Sequence, residues 1–310
     1  MKNIHKLYTG LYGNLYNRKP LPQCFFSPLR RCLRLLALHQ LPQYLHNAPL
    51  PKAVCRCNNV VVSLTSFPAR INDVWMTISC LRRQTYTPAK IILWLSKEQF
   101  KSKNDLPNSL TSLEDEIFEI RLVEGDIRSH KKYVYAFQEF PDKLVITVDD
   151  DIIYSPDLIE TLVEEHKKHP DDVLCRYGKK IKREQDDNLA PYNNWQTLDY
   201  ICDRDVFFGS GGGTLFQPRK MYKDVLNIEL SHKLTPLADD IWLNAMCRLA
   251  GLKTRLITNK LYLYLGNNQD FSLSKQNVGN RKNDIQLKQI IDYYIQSTEK
   301  NPFKPQNHEN

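Results

Sequence analysis

A run of three aspartates, Asp149, Asp150 and Asp151, is the part of this sequence that points most directly to chemistry. It follows the apolar, strand-like residues 144–148, and a Ser-Pro pair typical of a helix start comes soon after it. Adjacent carboxylates repel one another unless water or a cation screens them, and a hard divalent ion prefers oxygen ligands. The pattern therefore predicts a Mn²⁺ or Mg²⁺ site, with a solvated acidic loop as the alternative.

A second acidic pair, Asp239 and Asp240, opens a segment whose apolar residues recur at helical spacing. Either carboxylate can cap that helix, and capping alone would explain one of them. Two in a row raise the alternative that one is a general base. Because a carboxylate at a helix N-terminus stays ionised, we expect the pKa of this base to be low.

Between the two acidic segments, residues 209–213 contain four glycines and one serine. The spacing is not that of a dinucleotide-binding loop, and the strand-like residues 214–216 follow instead of a helix. Glycines let the backbone approach a bulky polar ligand, so Gly211, Gly212 and Gly213 are candidates for contact with a sugar. A flexible turn is the alternative.

A polar and aromatic cluster at residues 192–195 precedes the glycines. The face of Trp195 could lie under a sugar ring, and the neighbouring asparagines suit its hydroxyl groups. A tryptophan packed inside its own loop is an equally good interpretation.

Short apolar runs alternate with helical patterns from residue 58 onward, which is typical of a mostly parallel sheet covered by helices. In such a sheet, ligands bind outside the carboxyl ends of the strands. The segment 65–68 and the aspartate triplet both lie at that edge, so the triplet is expected in a ligand crevice. The predicted strands are 60–64, 90–95, 117–123 and 144–148, and the predicted helices are 71–81 and 131–140.

The order of these motifs resembles the nucleotide-sugar glycosyltransferases of the GT-A fold. It is most similar to the bacterial family-2-like enzymes and has some similarity to the exostosin-like transferase domain. The resemblance implies a Rossmann-like α/β domain and covers about residues 58–265. It rests on S-L-T-S-F-P-x-R at 63–70, H-K-K-Y at 130–133, the aspartate triplet, G-x-G-G-G at 209–213 and A-D-D-I-W at 238–242.

The resemblance also implies a role for each candidate residue. The metal would be held by Asp151 and Asp149, and Asp240, or less readily Asp239, would take the proton from the acceptor hydroxyl. The three glycines and Trp195 would contact the acceptor or the sugar. The nucleotide sugar would be bound by Thr65, Ser66, Arg70, Asp126, Lys131, Lys132, Asp149 and Asp150, with the two lysines beside the diphosphate and Asp126 near the uracil.

The implied function is transfer of a sugar from a nucleoside-diphosphate sugar, in the first instance a UDP-sugar, to a hydroxyl of a glycan or glycolipid. Bacterial surface polysaccharide or lipopolysaccharide synthesis would use this reaction. A base at Asp240 favours inversion at the anomeric carbon, whereas exostosin-like enzymes retain configuration. The alternatives are a non-catalytic sugar-nucleotide-binding protein and a metal-dependent phosphotransferase or nucleotidyltransferase.

Positive charge is concentrated at the start of the chain. Nine of the 43 basic residues lie in residues 1–57, which contain no acid, and the other 34 face 35 acidic residues in the remainder. The chain therefore divides into a basic extension at 1–57, a catalytic domain at 58–300 and a polar tail at 301–310 that we expect to be loose. A neutral catalytic body argues against nucleic acid as a partner.

The extension has an amphipathic pattern at 29–41, where arginines lie opposite leucines, and Pro42 should end the helix. Such a helix can lie on an anionic membrane surface, here through residues 1–45, and packing on the following domain is the alternative. Eight scattered cysteines favour a reducing compartment, and no run of about 20 apolar residues could span a bilayer. We therefore expect a cytoplasmic protein that binds the inner face of the cytoplasmic membrane peripherally.

Overall fold

A computed structural model describes residues 35–36, 39–47, 49–198, 201–257, 263–264 and 282–305. Its strands are β1 (Cys55–Thr65), β2 (Tyr86–Ser96), β3 (Phe118–Val123), β4 (Leu144–Val148), β5 (Ile152–Ile153), β6 (Val173–Cys175), β7 (Gly178–Lys180), β8 (Val206–Phe208), β9 (Gly212–Phe216), β10 (Thr254–Leu256) and β11 (Leu263–Tyr264). The helices that follow β1 are α1 (Val74–Leu81), α2 (Asn108–Thr111), α3 (Lys131–Glu139), α4 (Leu158–Lys168), α5 (Ile228–Leu234), α6 (Asp239–Leu249) and α7 (Lys282–Thr298).

Seven strands form one sheet in the order β10-β6-β9-β4-β1-β2-β3. All neighbours pair in parallel except β9, which runs antiparallel to both β4 and β6. The prediction of a mostly parallel sheet covered by helices is confirmed. The four predicted strands correspond to β1 to β4, and the two predicted helices correspond to α1 and α3.

The carboxyl end of β4 brings the motifs together. β1 and β4 are parallel neighbours with Ser63 opposite Thr147, so the segment after β1 and the aspartate triplet leave the sheet side by side. β9 pairs Gly212 with Val148 from the opposite direction, so the glycine-rich segment also lies at this edge. The predicted location of the triplet at the ligand edge of the sheet is confirmed.

Hydrophobic clusters cover both faces of the sheet. In β1, Val60, Val62 and Leu64 pack into one cluster and Val61 into the other, because side chains alternate along a strand. Helices α1 and α4 complete the first cluster, and α3 and α6 complete the second. Burial of each large apolar side chain contributes about 1.5–3 kcal/mol, so the strands that carry the motifs are held firmly.

Part of the N-terminal extension packs on this domain. Residues 39–47 are helical, Leu41 and Leu45 are buried in the first cluster, and Arg83 Nη2 donates to the Leu45 carbonyl at 2.9 Å. The helix continues past Pro42, so the predicted stop there is wrong. Residues 29–34 of the predicted amphipathic helix lie outside the described residues. Within the described part of the chain, no helix is long and apolar enough to cross a membrane.

The beginning of the C-terminal tail also packs on the domain. Phe303 is fully buried, and Arg248 donates to the carbonyls of Pro302 and Lys304, each at 2.8 Å. Residues 301–305 are therefore held by α6, and the expectation of a loose tail is wrong for them. Residues 306–310 lie outside the described residues.

Candidate active site

The middle aspartate of the triplet is a buried anchor. The Asp150 carboxylate accepts hydrogen bonds from Ser66 Oγ at 2.6 Å and from Arg70 Nη1 at 2.7 Å. Its backbone carbonyl accepts another from Thr77 Oγ1 at 2.9 Å. Burial raises the pKa of Asp150, and Arg70 and Ser66 oppose that shift only in part. Asp150 therefore ties the loop after β1 to the end of β4.

The residues predicted to cradle the nucleotide after β1 are engaged within the protein. Besides Asp150, Arg70 contacts Asp151 Oδ2 at 3.0 Å and lies over the Phe67 ring, 5.4 Å from its centroid. Thr65 Oγ1 donates to the Trp94 carbonyl at 2.7 Å. These contacts stabilise the turn at the ligand edge, and a direct contact with a nucleotide stays a prediction.

Asp149 and Asp151 flank the anchor and are more accessible to ligands. Their side chains are 42% and 24% exposed, against 6% for Asp150. Burial, followed by the charges of Asp149 and Asp150, raises the pKa of Asp151 to about 7. Two cations contact the three carboxylates, Arg70 at Asp150 and Asp151 and Lys132 at Asp149.

The glycine-rich segment is shaped by contacts within the protein. A Cβ on Gly211 would lie 1.8 Å from Asp149 Oδ2, and one on Gly212 would lie 2.4 Å from Tyr177 Cβ. Gly213 has φ of +89°, and a Cβ there would meet Leu158 Cδ1 at 2.5 Å. These glycines therefore let the protein's own side chains approach the backbone, and their contact with a sugar stays a prediction.

The second acidic pair lies in the first turn of α6. Neither residue caps the helix: the N-cap is Ala238, and no side chain makes a capping hydrogen bond. Ser210 holds both carboxylates, with Oγ donating to Asp239 Oδ2 at 2.6 Å and its backbone N–H donating to Asp240 Oδ1 at 2.7 Å. The capping interpretation is therefore wrong, and the pair faces the glycine-rich segment.

The two carboxylates of this pair have opposite pKa shifts. Burial, followed by the charge of Asp239, raises the pKa of Asp240 to about 6, against the effects of Lys132 and Ser210. Burial would also raise the pKa of Asp239, but Lys132, His130 and the Ser210 hydroxyl outweigh it, so this pKa lies well below its usual range. The expectation of a low pKa is wrong for Asp240, and a pKa near 6 suits a general base.

Lys132 joins the two acidic clusters. Its ammonium lies 2.8 Å from Asp149 Oδ1 and 3.0 Å from Asp239 Oδ2, and only 5% of its side chain is exposed. Burial lowers the pKa of Lys132, but the charges of Asp149 and Asp239 raise it above its ordinary value. Lys132 is therefore a charged, buried link between the two clusters, and its predicted role beside the diphosphate stays a prediction.

Its neighbours in the H-K-K-Y motif also make internal contacts. Lys131 forms an ion pair with Asp126, which accepts a further hydrogen bond from Gln99 Nε2 at 2.8 Å. His130 Nε2 lies 3.0 Å from the Thr235 carbonyl, which can only accept, so this nitrogen carries the proton. Burial lowers the pKa of His130 to about 4, so its ring is neutral. The described contacts pair Lys131 and Asp126 with each other, and their predicted roles beside the diphosphate and the uracil stay predictions.

Trp195 is packed inside the protein. It is 3% exposed, its indole N–H donates to the Ala190 carbonyl at 2.8 Å, and its ring contacts Tyr192 and Phe207. This is the packed-loop interpretation, and the predicted platform for a sugar is wrong for Trp195. Lys179 lies over the Tyr192 ring, 4.1 Å from its centroid, and the charge of Asp240 affects the pKa of both residues. An aromatic side chain, that of Tyr192, and a cationic one, that of Lys179, therefore lie near Asp240.

The sequence of this chain matches a known protein family. The family model "Glycosyl transferase family 2" matches residues 71–226, which is half of the chain and includes the triplet and the glycine-rich segment. The chain belongs to glycosyl transferase family 2. The predicted resemblance to family-2-like glycosyltransferases is confirmed. No protein of curated function matches the chain.

Solved structures similar to this family 2 glycosyltransferase share little sequence with it. A mannosyltransferase from Pyrobaculum calidifontis, in complex with GDP-Man and Mn²⁺, is 10% identical with a TM-score of 0.46, over 97% of this chain and 77% of that one. The 4-diphosphocytidyl-2C-methyl-D-erythritol synthase of Anaerococcus prevotii is 13% identical with a TM-score of 0.36, over 57% and 76%. Another synthase of the same name is 11% identical with a TM-score of 0.42, over 69% and 95%. The family match, and not these likenesses, identifies the chain.

The donor groups at the triplet of the family 2 glycosyltransferase fit a divalent ion shared with a substrate. In the described part of the chain, no three His, Cys, Asp or Glu side chains converge as a complete metal site. Mg²⁺ is typically held by one or two carboxylates together with substrate phosphates, so a complete protein cage is not required. Asp149 and Asp151 provide two partly exposed carboxylates beside each other, which meets that requirement.

Two residues of the site were missed by the sequence reasoning. Ser210 positions both carboxylates of the second acidic pair, and a serine within a glycine run is a signal that could have found it. Tyr154 accepts from the Asp149 backbone N–H at 2.8 Å and donates to the Gly211 carbonyl. No local pattern marks Tyr154, because this contact depends on the approach of β9 to β4.

Proposed function

We propose that the chain transfers a sugar from a nucleoside-diphosphate sugar, in the first instance a UDP-sugar, to an acceptor hydroxyl in a metal-dependent, inverting reaction. The observation that carries this proposal is the Asp240 carboxylate. It is held by the Ser210 amide, directly beside the residue that contacts Asp149, and its pKa of about 6 leaves it ionised at neutral pH. Adjacent residues of one segment, Ser210 and Gly211, therefore contact the proposed base Asp240 and the proposed metal ligand Asp149.

Asp149 and Asp151 would hold the metal, with the diphosphate oxygens as further ligands. Bound there, a Mn²⁺ or Mg²⁺ ion would neutralise the charge that develops on the departing nucleoside diphosphate. Asp150 stays on Arg70 and Ser66 and keeps both ligands in position. Gly211 leaves the space that the Asp149 side chain occupies.

Asp240 would accept the proton of the acceptor hydroxyl. As the hydroxyl oxygen forms its bond to the anomeric carbon, the bond from that carbon to the diphosphate oxygen breaks, and the electron pair leaves with the nucleoside diphosphate. Attack from the side opposite the leaving group inverts the anomeric configuration. Because the pKa of Asp240 is raised, this carboxylate is a stronger base than an ordinary aspartate.

The test is release of nucleoside diphosphate by the purified chain from a panel of sugar nucleotides, with and without Mn²⁺ or Mg²⁺. We expect metal-dependent release from one donor, lost in Asp151→Ala while the far-ultraviolet circular dichroism and Tm stay near wild type. Lys220→Ala, at an exposed ion pair, is the control and should keep full activity. Release that needs no metal and is unchanged in Asp151→Ala would contradict the proposal. Metal-dependent donor binding without turnover would favour the non-catalytic sugar-nucleotide-binding alternative.

The stereochemistry needs a separate measurement. Proton NMR of the first product formed gives the anomeric configuration of the new bond. We expect it to be opposite to that of the donor, because the proposed reaction is a single displacement with Asp240 as its base and involves no second nucleophile. A product that retains the donor configuration would contradict the role of Asp240 as the base of a direct displacement.

The acceptor that we propose is a glycan or lipid-linked glycan of bacterial surface polysaccharide or lipopolysaccharide synthesis, at the inner face of the cytoplasmic membrane. Nine basic residues and no acidic one in residues 1–57 support docking to an anionic surface, as does the exposure of Leu35 and Leu36. Deleting residues 1–38 spares Leu41 and Leu45, which are buried in the domain. We expect the deletion to abolish co-sedimentation with vesicles that contain an anionic lipid. Unchanged co-sedimentation would contradict membrane docking through this segment.

A further inference from the structure

Two segments distant in sequence, at Lys132 and at residues 210–211, close the two acidic clusters into a ring of polar contacts. Lys132 contacts Asp149 Oδ1 and Asp239 Oδ2, at 2.8 Å and 3.0 Å. Ser210 Oγ donates to Asp239 Oδ2 at 2.6 Å, and the next carbonyl, that of Gly211, accepts from the Asp149 N–H at 3.2 Å. A displacement of any one segment therefore moves the others.

Further hydrogen bonds hold the backbone segment that carries Lys132, the buried cation of the ring. The H-K-K-Y segment that carries Lys132 is also attached to the chain before α6, because His130 Nε2 donates to the Thr235 carbonyl. The Lys132 carbonyl accepts from Ser63 Oγ at 2.5 Å, and Ser63 Oγ accepts in turn from Trp94 Nε1 at 2.9 Å. The lysine backbone is thus held against β1 and β2 while its ammonium reaches both carboxylates.

We propose that Lys132 is a positioning residue that couples the donor carboxylate Asp149 to the base Asp240 through Asp239, and that it is not a ligand of the diphosphate. Its side chain is 5% exposed, and its ammonium donates a hydrogen bond to Asp149 and forms an ion pair with Asp239. A diphosphate would have to displace one of these ion pairs in order to reach it. The inference rests on the proposed function of this site and names a role that sequence motifs alone assign differently.

The geometry distinguishes this role from that of a diphosphate ligand. Loss of a positioning charge displaces the base, and a displacement of about 1 Å typically lowers the rate about 100-fold with little effect on donor binding. Loss of a phosphate ligand weakens the binding of donor and nucleoside diphosphate. Lys132→Met keeps the length of the side chain and removes only the ammonium.

The first experiment compares Lys132→Met with Lys131→Met. Lys131 is the matched control, because it is the preceding residue of the same helix, is equally buried and forms an ion pair with Asp126 outside the ring. For Lys132→Met we expect kcat to fall about 100-fold, with the Kd of nucleoside diphosphate and Mn²⁺ within about threefold of wild type. A Kd that rises tenfold or more at an unchanged pH profile would identify a diphosphate ligand and overturn the proposal.

The pH profile of kcat/KM gives a readout that a merely structural role would not move. The charged and titratable groups that act on Asp240 are Asp239, Lys132, Lys179 and Tyr192. Removing the Lys132 charge leaves the Asp239 charge uncompensated, so the acidic limb should move up by about one pH unit. It should stay at the wild-type position in Lys131→Met. Equal losses in the two variants with unmoved limbs would overturn the proposal.

A second set of variants keeps the inference testable if Lys132→Met does not fold. Lys132→Arg retains the charge and should keep the acidic limb at the wild-type position with a partial loss of kcat. Ser210→Ala removes the hydroxyl that donates to Asp239 on the other side of the ring, and it removes no charge. It should lower kcat and move the acidic limb of the pH profile to higher pH. If the acidic limb of the pH profile moved in Lys132→Arg, or if Ser210→Ala were fully active, the proposed coupling through the ring would be contradicted.

Failure of the proposed function is distinguishable from failure of the ring. Should the wild type release no nucleoside diphosphate from any donor, thermal unfolding still tests the coupling. Lys132→Met leaves the buried Asp239 carboxylate without its cation and removes the ion-pair partner of the more exposed Asp149, so its Tm should fall by about 5–10 °C. Adding Asp239→Asn should restore part of that loss, whereas adding Asp142→Asn, at an exposed pair, should not. No recovery with Asp239→Asn would show that the two residues are not coupled.

Discussion

The aspartate triplet and the second acidic pair divide their carboxylates in the same way. In each cluster one aspartate is buried on a cation and a serine hydroxyl: Asp150 on Arg70 and Ser66, Asp239 on Lys132 and Ser210. In each, the following aspartate has a pKa raised by burial and by its neighbours, to about 7 for Asp151 and about 6 for Asp240. In both clusters, an aspartate anchored by a cation and a serine is thus followed by an aspartate whose pKa is raised.

The clusters differ in the cation that serves them. Arg70 contacts Asp150 and Asp151 and stays within the triplet. Lys132 contacts Asp149 of the triplet and Asp239 of the pair, so its charge is shared between the two clusters. Arg70 therefore balances charge within the triplet, whereas Lys132 links the charge of the pair to that of the triplet.

The largest effect should come from Asp240→Asn, which removes the base and keeps the shape. We expect kcat to fall about 1,000-fold with donor KM within a few-fold, because general base catalysis typically contributes 10²–10⁴. Steady-state kinetics with saturating metal measures it, and Asp142→Asn should be fully active as an exposed carboxylate elsewhere. If Asp240→Asn kept more than a tenth of wild-type kcat, Asp240 would not be the general base, and the comparison between the two clusters would fail.

Stability should separate the anchor from the reactive member within the triplet. Asp150→Asn leaves the Arg70 guanidinium without its closest carboxylate and should lower the free energy of unfolding by about 3 kcal/mol, as loss of one partner of a buried ion pair does. Asp151→Asn should change it by less than about 1 kcal/mol, because that side chain is partly exposed and its contact with Arg70 is the longer of the two. Urea unfolding without metal measures both variants. Equal losses would show that the two aspartates do not divide their roles.

The smallest effect is on the pH profile, and its direction is informative. A base with a pKa of about 6 must be deprotonated to act, so kcat/KM should rise with pH and become level above it, with a value at pH 5 about tenfold below the plateau. Asp239→Asn removes a like charge and should move this acidic limb to lower pH, whereas Lys132→Met should move it to higher pH. Shifts in the same direction in both variants would contradict the electrostatic account of the pair.

Much of the fold could be predicted because its signals are local. Short β-branched runs alternate with helical spacing, and β1 to β4, α1 and α3 lie where the patterns place them. The helix that continues past Pro42 and the buried Phe303 were not predictable in this way, because packing on the rest of the domain outweighs the local signals of a proline and a polar tail.

The sequence by itself determined that this protein places an aspartate triplet at the ligand edge of a mostly parallel sheet, with an acidic helix start further along. Only the tertiary structure decided which carboxylate of each cluster is a buried anchor and which is the more exposed neighbour. It also buried Trp195 and turned the glycines toward the protein's own side chains. The physical reason is that charge balance and burial depend on partners far away in the chain: Ser66 lies 84 residues from Asp150, and Ser210 lies 29 residues from Asp239.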